Sequence, residues 1–448
     1  MALNAAISNP IGDSNDSSPQ QLHMLPRGVL IPFTLVTALF FLWGVPNNLN
    51  DVLIRQFMKS FSLTRFEAGL VQSAFYLGYF VLAMPAALLM RRFGYKFGFI
   101  VGLVLFGSGA FLFWPAALMG RYLYFLAALF VIASGLSFLE TASNPFVAQL
   151  GDPKTAAQRL NFAQAFNPLG SIGGALIGTV YIFSGTELEK SQISAMQAAH
   201  TYSQYLQSET RRVVAPYMIL GGVAILWAVL IAFARFPKMA GEVTFEKEEH
   251  GHFRDLLRYP SFLLAIFAQF MYVGAQVGTW SYFIQYVQES THQHEMMAGY
   301  LLTGTLAAFG IGRFASSAIM HYIRPNRLMA TYSAINILLV GIGIAFPRWI
   351  GLWAIFLTSF FMSVMFPNIF ALGIDGLGRN TKIAASFIVM AIVGGAILTP
   401  LMGLISQSAH SIAIAYIVPL ACYCTVGLFS AFWRKLKQSN PDAKAIGD

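Results

Sequence analysis

Long apolar runs alternate with short polar breaks along the whole chain. Twelve runs reach about twenty residues or more, the length a helix needs to cross a bilayer. They cover 29–53, 66–90, 95–117, 122–148, 159–184 and 213–236, then 260–287, 297–321, 327–347, 349–374, 382–407 and 410–433. The runs are continuous, without the residue-by-residue alternation of outer-membrane strands, so helices are predicted. Two breaks are longer than the rest. One, near 185–212, carries Glu187, Glu189, Lys190 and Glu209 and reads as a solvated loop with one short surface helix. The other, 237–258, holds eight charged residues between Lys238 and Asp255 and divides the runs into six and six. The expected fold is all-α and integral to the membrane: twelve transmembrane helices in two pseudo-symmetric six-helix bundles. The expected organisation is a disordered cytoplasmic tail (1–27), an N-terminal bundle (28–236), a cytoplasmic linker (237–258), a C-terminal bundle (259–434) and a second tail (435–448).

Composition agrees with that pattern. The chain is 56% hydrophobic and 10% charged, whereas soluble chains carry roughly 25% charged residues. The net charge of +9 does not point to nucleic acid, because the basic residues lie scattered at helix ends. They also set the orientation. With the N-terminus inside, twenty of the 28 Lys and Arg fall at inner ends and eight at outer ends, which follows the positive-inside rule. Both termini are then expected in the cytoplasm, in the inner (plasma) membrane of a bacterium. Residues 1–27 show no signal peptide. The only cysteines, Cys422 and Cys424, stand two apart on a helix and point away from each other, so neither a disulfide nor a metal site is expected.

The polar residues inside the runs carry the chemistry. Trp43-Gly44-Val45-Pro46-Asn47-Asn48-Leu49-Asn50-Asp51 closes the first run with three asparagines and an aspartate in five residues. A carboxylate deep in a bilayer costs several kcal/mol unless it is protonated, paired or facing water. The stretch therefore faces a cavity, or else the helix ends early and the cluster is an interfacial loop. A second deep acid, Glu140, shares a helix face with Asn144, four residues on, and Pro145 frees a backbone carbonyl nearby. Glu67 and Asp375 fall at run ends and read as interfacial.

Further mixed faces follow: Asn47 with Asp51; Gln72, Phe75, Tyr76 and Tyr79; Gln164 with Asn167; Tyr272, Gln276 and Trp280 at every fourth position; and Phe366-Pro367-Asn368. Each alone is more often a helix–helix contact. Together they supply carboxylates, carboxamides and aromatic rings, the groups that bind a sugar's hydroxyls and its apolar ring face. Interior Lys and Arg are almost absent, which argues against phosphate esters and organic anions. Arg313 is the exception and reads as an interfacial or gating residue. The candidate substrate contacts are Glu140, Asn47, Gln72, Tyr76, Asn144, Gln164, Asn167, Tyr272, Gln276, Trp280 and Asn368.

The six-plus-six layout, with basic loops at Arg91-Arg92-Phe93-Gly94-Tyr95-Lys96 and Arg324-Pro325-Asn326-Arg327, points to the major facilitator architecture, two halves around a central site. The motifs Asn47-Asn48-Leu49-Asn50-Asp51, Gln72-Ser73-Ala74-Phe75-Tyr76, Leu139-Glu140-Thr141-Ala142-Ser143-Asn144-Pro145, Arg159-Leu160-Asn161, Gln164, Phe166-Asn167, Tyr272-Val273-Gly274-Ala275-Gln276 and Trp280-Ser281-Tyr282 resemble the fucose–galactose–glucose proton symporters, a branch of that superfamily. The resemblance runs from about residue 30 to 432. It implies proton-driven import of a neutral monosaccharide by alternating access, with no cofactor and no metal. L-Fucose is the sugar it favours, and the expected partners are sugar, protons and lipid, with the carrier a monomer. It also implies that Asp51 couples the proton and that Glu140 is a second essential acid near the sugar, so that both acids are candidates for proton coupling.

The second half departs from the fucose-carrying members. Gln285 stands where a basic residue is expected, and Met365-Phe366 replace a more polar sequence. Galactose, glucose, mannose and N-acetylglucosamine stay open, as does a proton-coupled exporter of an amphipathic compound. A membrane enzyme is disfavoured: no His-Glu-x-x-His or Gly-x-Ser-x-Gly motif is present, and His292, His294 and Glu295 read as a solvated outer loop.

Overall fold

The computed structural model describes residues 27–151, 156–237, 256–320, 322–377 and 381–438. The expected tails and nearly all of the charged linker lie outside the described residues. Among the described residues, eleven helices are long and apolar enough to span a membrane. In the first half they are α1 (Leu30–Phe61), α2 (Arg65–Met90), α3 (Arg92–Met119), α4 (Tyr122–Val147), α5 (Phe162–Ile182) and α6 (Tyr202–Phe233). The second half opens with α7 (Pro260–Ser281). Next is α8 (Glu295–Ile319), a 25-residue helix whose threonines, serines and Arg313 make it more polar than the others. Then come α9 (Pro325–Ala345), α10 (Trp349–Ile374), α11 (Phe387–Ser408) and α12 (Ile412–Gln438).

Local chemistry fixes the helix ends. At the start of α2, the Thr64 hydroxyl accepts from the Glu67 N–H, while the Glu67 carboxylate accepts from the Thr64 N–H at 2.9 Å. This reciprocal box satisfies two donors that the first turn leaves free. Proline opens α7 and α9, where no amide hydrogen is needed.

Two elements differ from the sequence expectation. The first helix does not end near 53 but runs unbroken to Phe61. Asp51 thus lies ten residues inside its outer end, about 15 Å at the usual helical rise, and the interfacial-loop reading is set aside. The break at 185–212 holds two short helices, Lys190–Ala198 and Tyr202–Arg211, the second leading into α6.

The packing that places the site runs both within each half and between them. Within the halves, α1 packs on α5, α2 on α4, α9 on α12 and α7 on α12. Between them, α2 meets α11 and α5 meets α8. The α1–α5 crossing is backbone on backbone. A Cβ added at Gly170 would collide with the Phe41 carbonyl of α1, and only glycine permits that approach.

Candidate functional site between the two halves

Asp51 sits on the buried side of α1 and is 2% exposed. Its carboxylate accepts three hydrogen bonds. Asn48 Nδ2, one turn earlier on the same helix, donates to Oδ2 at 3.1 Å. Gln72 Nε2, from α2, donates to Oδ1 at 2.9 Å. Ser281 Oγ, from the end of α7, donates to the same Oδ1, also at 2.9 Å. Gln72 Nε2 further donates to Ser281 Oγ at 2.9 Å, which closes a triangle. The acid expected to face a cavity is here held in a seam where the first six spans meet the last six.

The seam continues beyond Asp51 in both directions. Ser73 Oγ donates to the Ala396 carbonyl of α11 at 2.6 Å. Tyr282 OH donates to the Arg65 carbonyl at 2.7 Å, and the Arg65 guanidinium pairs with Glu289 and bonds Ser406. On the other flank, Lys59 Nζ lies 3.1 Å from Glu295 of α8 and 3.0 Å from Glu209 of the first half. It also donates to Ser184 Oγ and the Thr186 carbonyl. Glu187 accepts from the Glu295 N–H at 3.0 Å and from Gln288, with Arg55 and His294 beside it. These bonds shut the outer ends of the two halves against each other.

This corrects the reading of Glu187, Glu209 and Glu295 as solvated loop charges. Glu295 is fully buried and Glu209 is 3% exposed. Each is covered because the halves close over it, and each is paired because an unpaired buried charge is costly. Among the described residues no group of three metal-ligating side chains forms, and Glu295 turns to Lys59 and away from the neighbouring histidines. Glu67 and Asp375 do lie at helix ends, in the capping box and in an ion pair with Lys437, respectively.

Glu140 has a different setting. It lies eighteen residues in from the outer end of α4, about 27 Å by the helical rise, and is partly exposed. Among the described residues its carboxylate has no hydrogen-bond partner, although Asn144 Nδ2 reaches its backbone carbonyl at 3.4 Å. Gln164 Nε2 donates to Asn144 Oδ1 at 3.1 Å, so α4 and α5 present their amides together. Asn167 Nδ2 reaches the Phe40 carbonyl at 3.4 Å. Tyr76 lies near Asp51 and Glu140, and its ring packs against Gly395 of α11 in the second half. Tyr79 lies beside Asn47 and Glu140.

In the second half, Tyr272 OH donates to the Met362 carbonyl at 3.1 Å, and Trp280 Nε1 to Ser359 Oγ at 3.0 Å. The Trp280 indole meets Phe309 edge-on, and the Arg313 guanidinium caps the same Phe309 ring at 5.5 Å. Gln276 stays partly exposed, while Asn368 is 6% exposed with a buried, unpaired Nδ2. The arrangement thus brings Asp51 together with Gln72, and Glu140 with Asn144, Gln164 and Tyr76. It turns Tyr272 and Trp280 partly into their own half. Gln285, the departure noted in the sequence, lies in the outer seam against Met58 Sδ.

Sequence reasoning quoted Ser281 within a motif without assigning it a role, and it missed Lys59, Glu209 and Glu295. A basic residue in the last turn of a long apolar helix, as Lys59 is, was the available signal.

Comparison with known proteins follows this geometry. The family model described as Major Facilitator Superfamily matches residues 33–400. The L-fucose-proton symporter of Escherichia coli strain K12 is 42% identical over 91% of this chain and 94% of its own. The glucose/galactose transporter of Brucella abortus biovar 1 is 33% identical over 97% of this chain and all of its own. Among solved structures, the transporter FucP in the outward conformation is 41% identical, with a TM-score of 0.69 over 91% of this chain and 99% of that one. A D-xylose-proton symporter, only 13% identical, shares the fold at a TM-score of 0.67 over 92% of this chain and 99% of its own.

Proposed function

The chain belongs to the Major Facilitator Superfamily, and we propose that it is a proton-coupled symporter that imports a neutral monosaccharide, L-fucose first among the candidates. One observation carries this reading. The buried Asp51 carboxylate is bonded from both halves of the carrier, in a chain 42% identical to an L-fucose-proton symporter. Asp51 is the proton site, and the row of Glu140, Asn144, Gln164, Asn167 and Tyr76 takes the sugar. Protonation removes the charge that makes burial costly. Carriers loaded with both proton and sugar, or with neither, then cross, and half-loaded ones do not. The partly exposed acid and amides of α4 and α5 suit hydroxyl groups, with the partly exposed ring of Tyr76 available to the sugar's apolar face.

The carrier acts as a monomer in the bacterial inner membrane with both termini in the cytoplasm. The concentration of Lys and Arg at the ends assigned to the inside supports that orientation, and a seam completed within one chain supports the monomer.

The test is uptake of labelled L-fucose by cells expressing the chain, with and without an uncoupler, followed by counterflow against D-galactose, D-glucose, D-mannose and N-acetylglucosamine. Accumulation that collapses with the uncoupler is expected, with L-fucose the strongest competitor. Accumulation indifferent to the uncoupler would remove the proton. Stronger competition by glucose or galactose would move the substrate to that of the Brucella relative.

A further inference from the structure

We propose that Ser281 and Gln72 are positioning residues that report the state of Asp51 to the outer seam, so that the hydrogen bond between Ser281 and Asp51 is the contact through which the proton controls outer closure. This rests on the reading of Asp51 as the proton site. Three observations carry it.

Ser281 is the residue of the second half that bonds Asp51, at 2.9 Å, and it is fully buried. The seam continues outward from that contact through Tyr282, whose hydroxyl holds the Arg65 carbonyl. The Gln72 carboxamide is bonded through nitrogen alone, to Asp51 and to Ser281, while its Oε1 is buried and unpaired.

The donor and acceptor inventory gives these contacts a direction. An ionised carboxylate only accepts, and here it faces the amide N–H groups of Asn48 and Gln72 and the hydroxyl of Ser281. A protonated carboxyl must donate from one oxygen. The present arrangement offers it little beyond Ser281 Oγ, which already accepts from Gln72. Turning the Gln72 amide over would bring its unpaired Oε1 to the triangle as the acceptor the neutral acid needs. The hydroxyl of Ser281 would then reverse as well. Bonds to an ionised group are about twice as strong as neutral ones, so the cross-seam bond changes strength with the proton.

The surroundings leave this contact to act alone. Among the described residues, the other titratable group near Asp51 is the Tyr76 phenol of α2. Arg55 and Lys59, further out on α1, are occupied with Glu187, and with Glu209 and Glu295. From α7 the facing group is the neutral Ser281, and from α2, besides Tyr76, the neutral Gln72.

The experiment reads closure directly. Ser406, fully buried in the seam, is replaced by Cys in a chain whose Cys422 and Cys424 are changed to Ser. Alkylation by a membrane-impermeant maleimide is followed between about pH 6 and about pH 8. The parent is expected to change its rate roughly tenfold, the worth of one hydrogen bond to a charged group. Ser281→Ala should flatten that response to under about twofold, and Ser281→Thr, which keeps the hydroxyl, should restore it. Should the alanine variant fail to reach the membrane, Ser281→Cys substitutes a weak donor of similar size and should flatten the response likewise. A structural role would lower transport at every pH without flattening the profile.

Ser281→Ala with the parent's response, beside a flat Asp51→Asn, overturns this inference and leaves Asp51 as the proton site. Asp51→Asn with the parent's response overturns both. A parent whose alkylation ignores pH also overturns the link between proton and seam.

Discussion

The two deep acids of this carrier are the same kind of group in opposite settings. Asp51 is 2% exposed, accepts from three donors and stands where the halves touch. Glu140 lies further in, partly exposed, with a carboxylate that no side chain among the described residues bonds, while its neighbours Asn144 and Gln164 bond each other. A carboxylate that already accepts three protein donors has little hydrogen-bonding capacity to spare for a ligand. A carboxylate without them has more. That contrast supports the proposed division, with the proton at the first acid and the sugar at the second.

The sharpest way to break this contrast is Asp51→Asn. Proton-driven accumulation should fall by about 100-fold or more, to near equilibration, while counterflow persists, because the amide mimics a permanently neutral acid. Normal accumulation in that variant would end the assignment. Next in size is Glu140→Gln. Removing a charged acceptor from a sugar hydroxyl should raise the half-saturating sugar concentration roughly tenfold to a hundredfold. Wild-type counterflow affinity would make Glu140 a scaffold residue.

Glu295→Gln sharpens the comparison from the side of the seam. It leaves Lys59 with Glu209 alone, and breaking a buried pair costs about 3–5 kcal/mol where burial is complete. Because Lys59 is part-exposed and keeps one partner, a loss of about 1–2 kcal/mol in outer closure is expected. It should appear as faster labelling of Ser406→Cys from outside, with sugar affinity unchanged. The smallest effect is expected from Asn144→Ala, a few-fold weaker sugar binding from the loss of one neutral hydrogen bond. A pH profile that moved in this variant would blur the division between the two acids.

Much of this was legible in the sequence, and the misses have a common cause. Apolar run length and the placement of basic residues are local properties, and they yield the helices and their orientation. Asp51 and Glu140 stand out because a charge in an apolar run is expensive wherever it is. Ser281 does not stand out, since a lone serine in a helix costs little, and its importance arises only when α7 reaches α1. Glu209 and Glu295 look like loop acids for the same reason. Their burial is a property of two distant segments meeting, and neither segment carries a sign of it. The extension of α1 to Phe61 was hidden by Asn47–Asp51, whose polarity imitates a helix end. Gln285 drew attention as a departure in sequence, yet in this form of the carrier it touches Met58 in the seam and not the sugar row.

The crossing of α1 and α5 has a mechanical consequence. Gly170 rests on the Phe41 carbonyl, and Asn167 reaches the Phe40 carbonyl one residue away. No flexible side chain lies between the two backbones there to absorb a shift. The α5 helix that carries Asn167 and the α1 helix that carries Asp51 are thus tied by a close backbone contact. On the proposed reading, a sugar held by the α5 amides is in this way tied directly to the helix that carries the proton site.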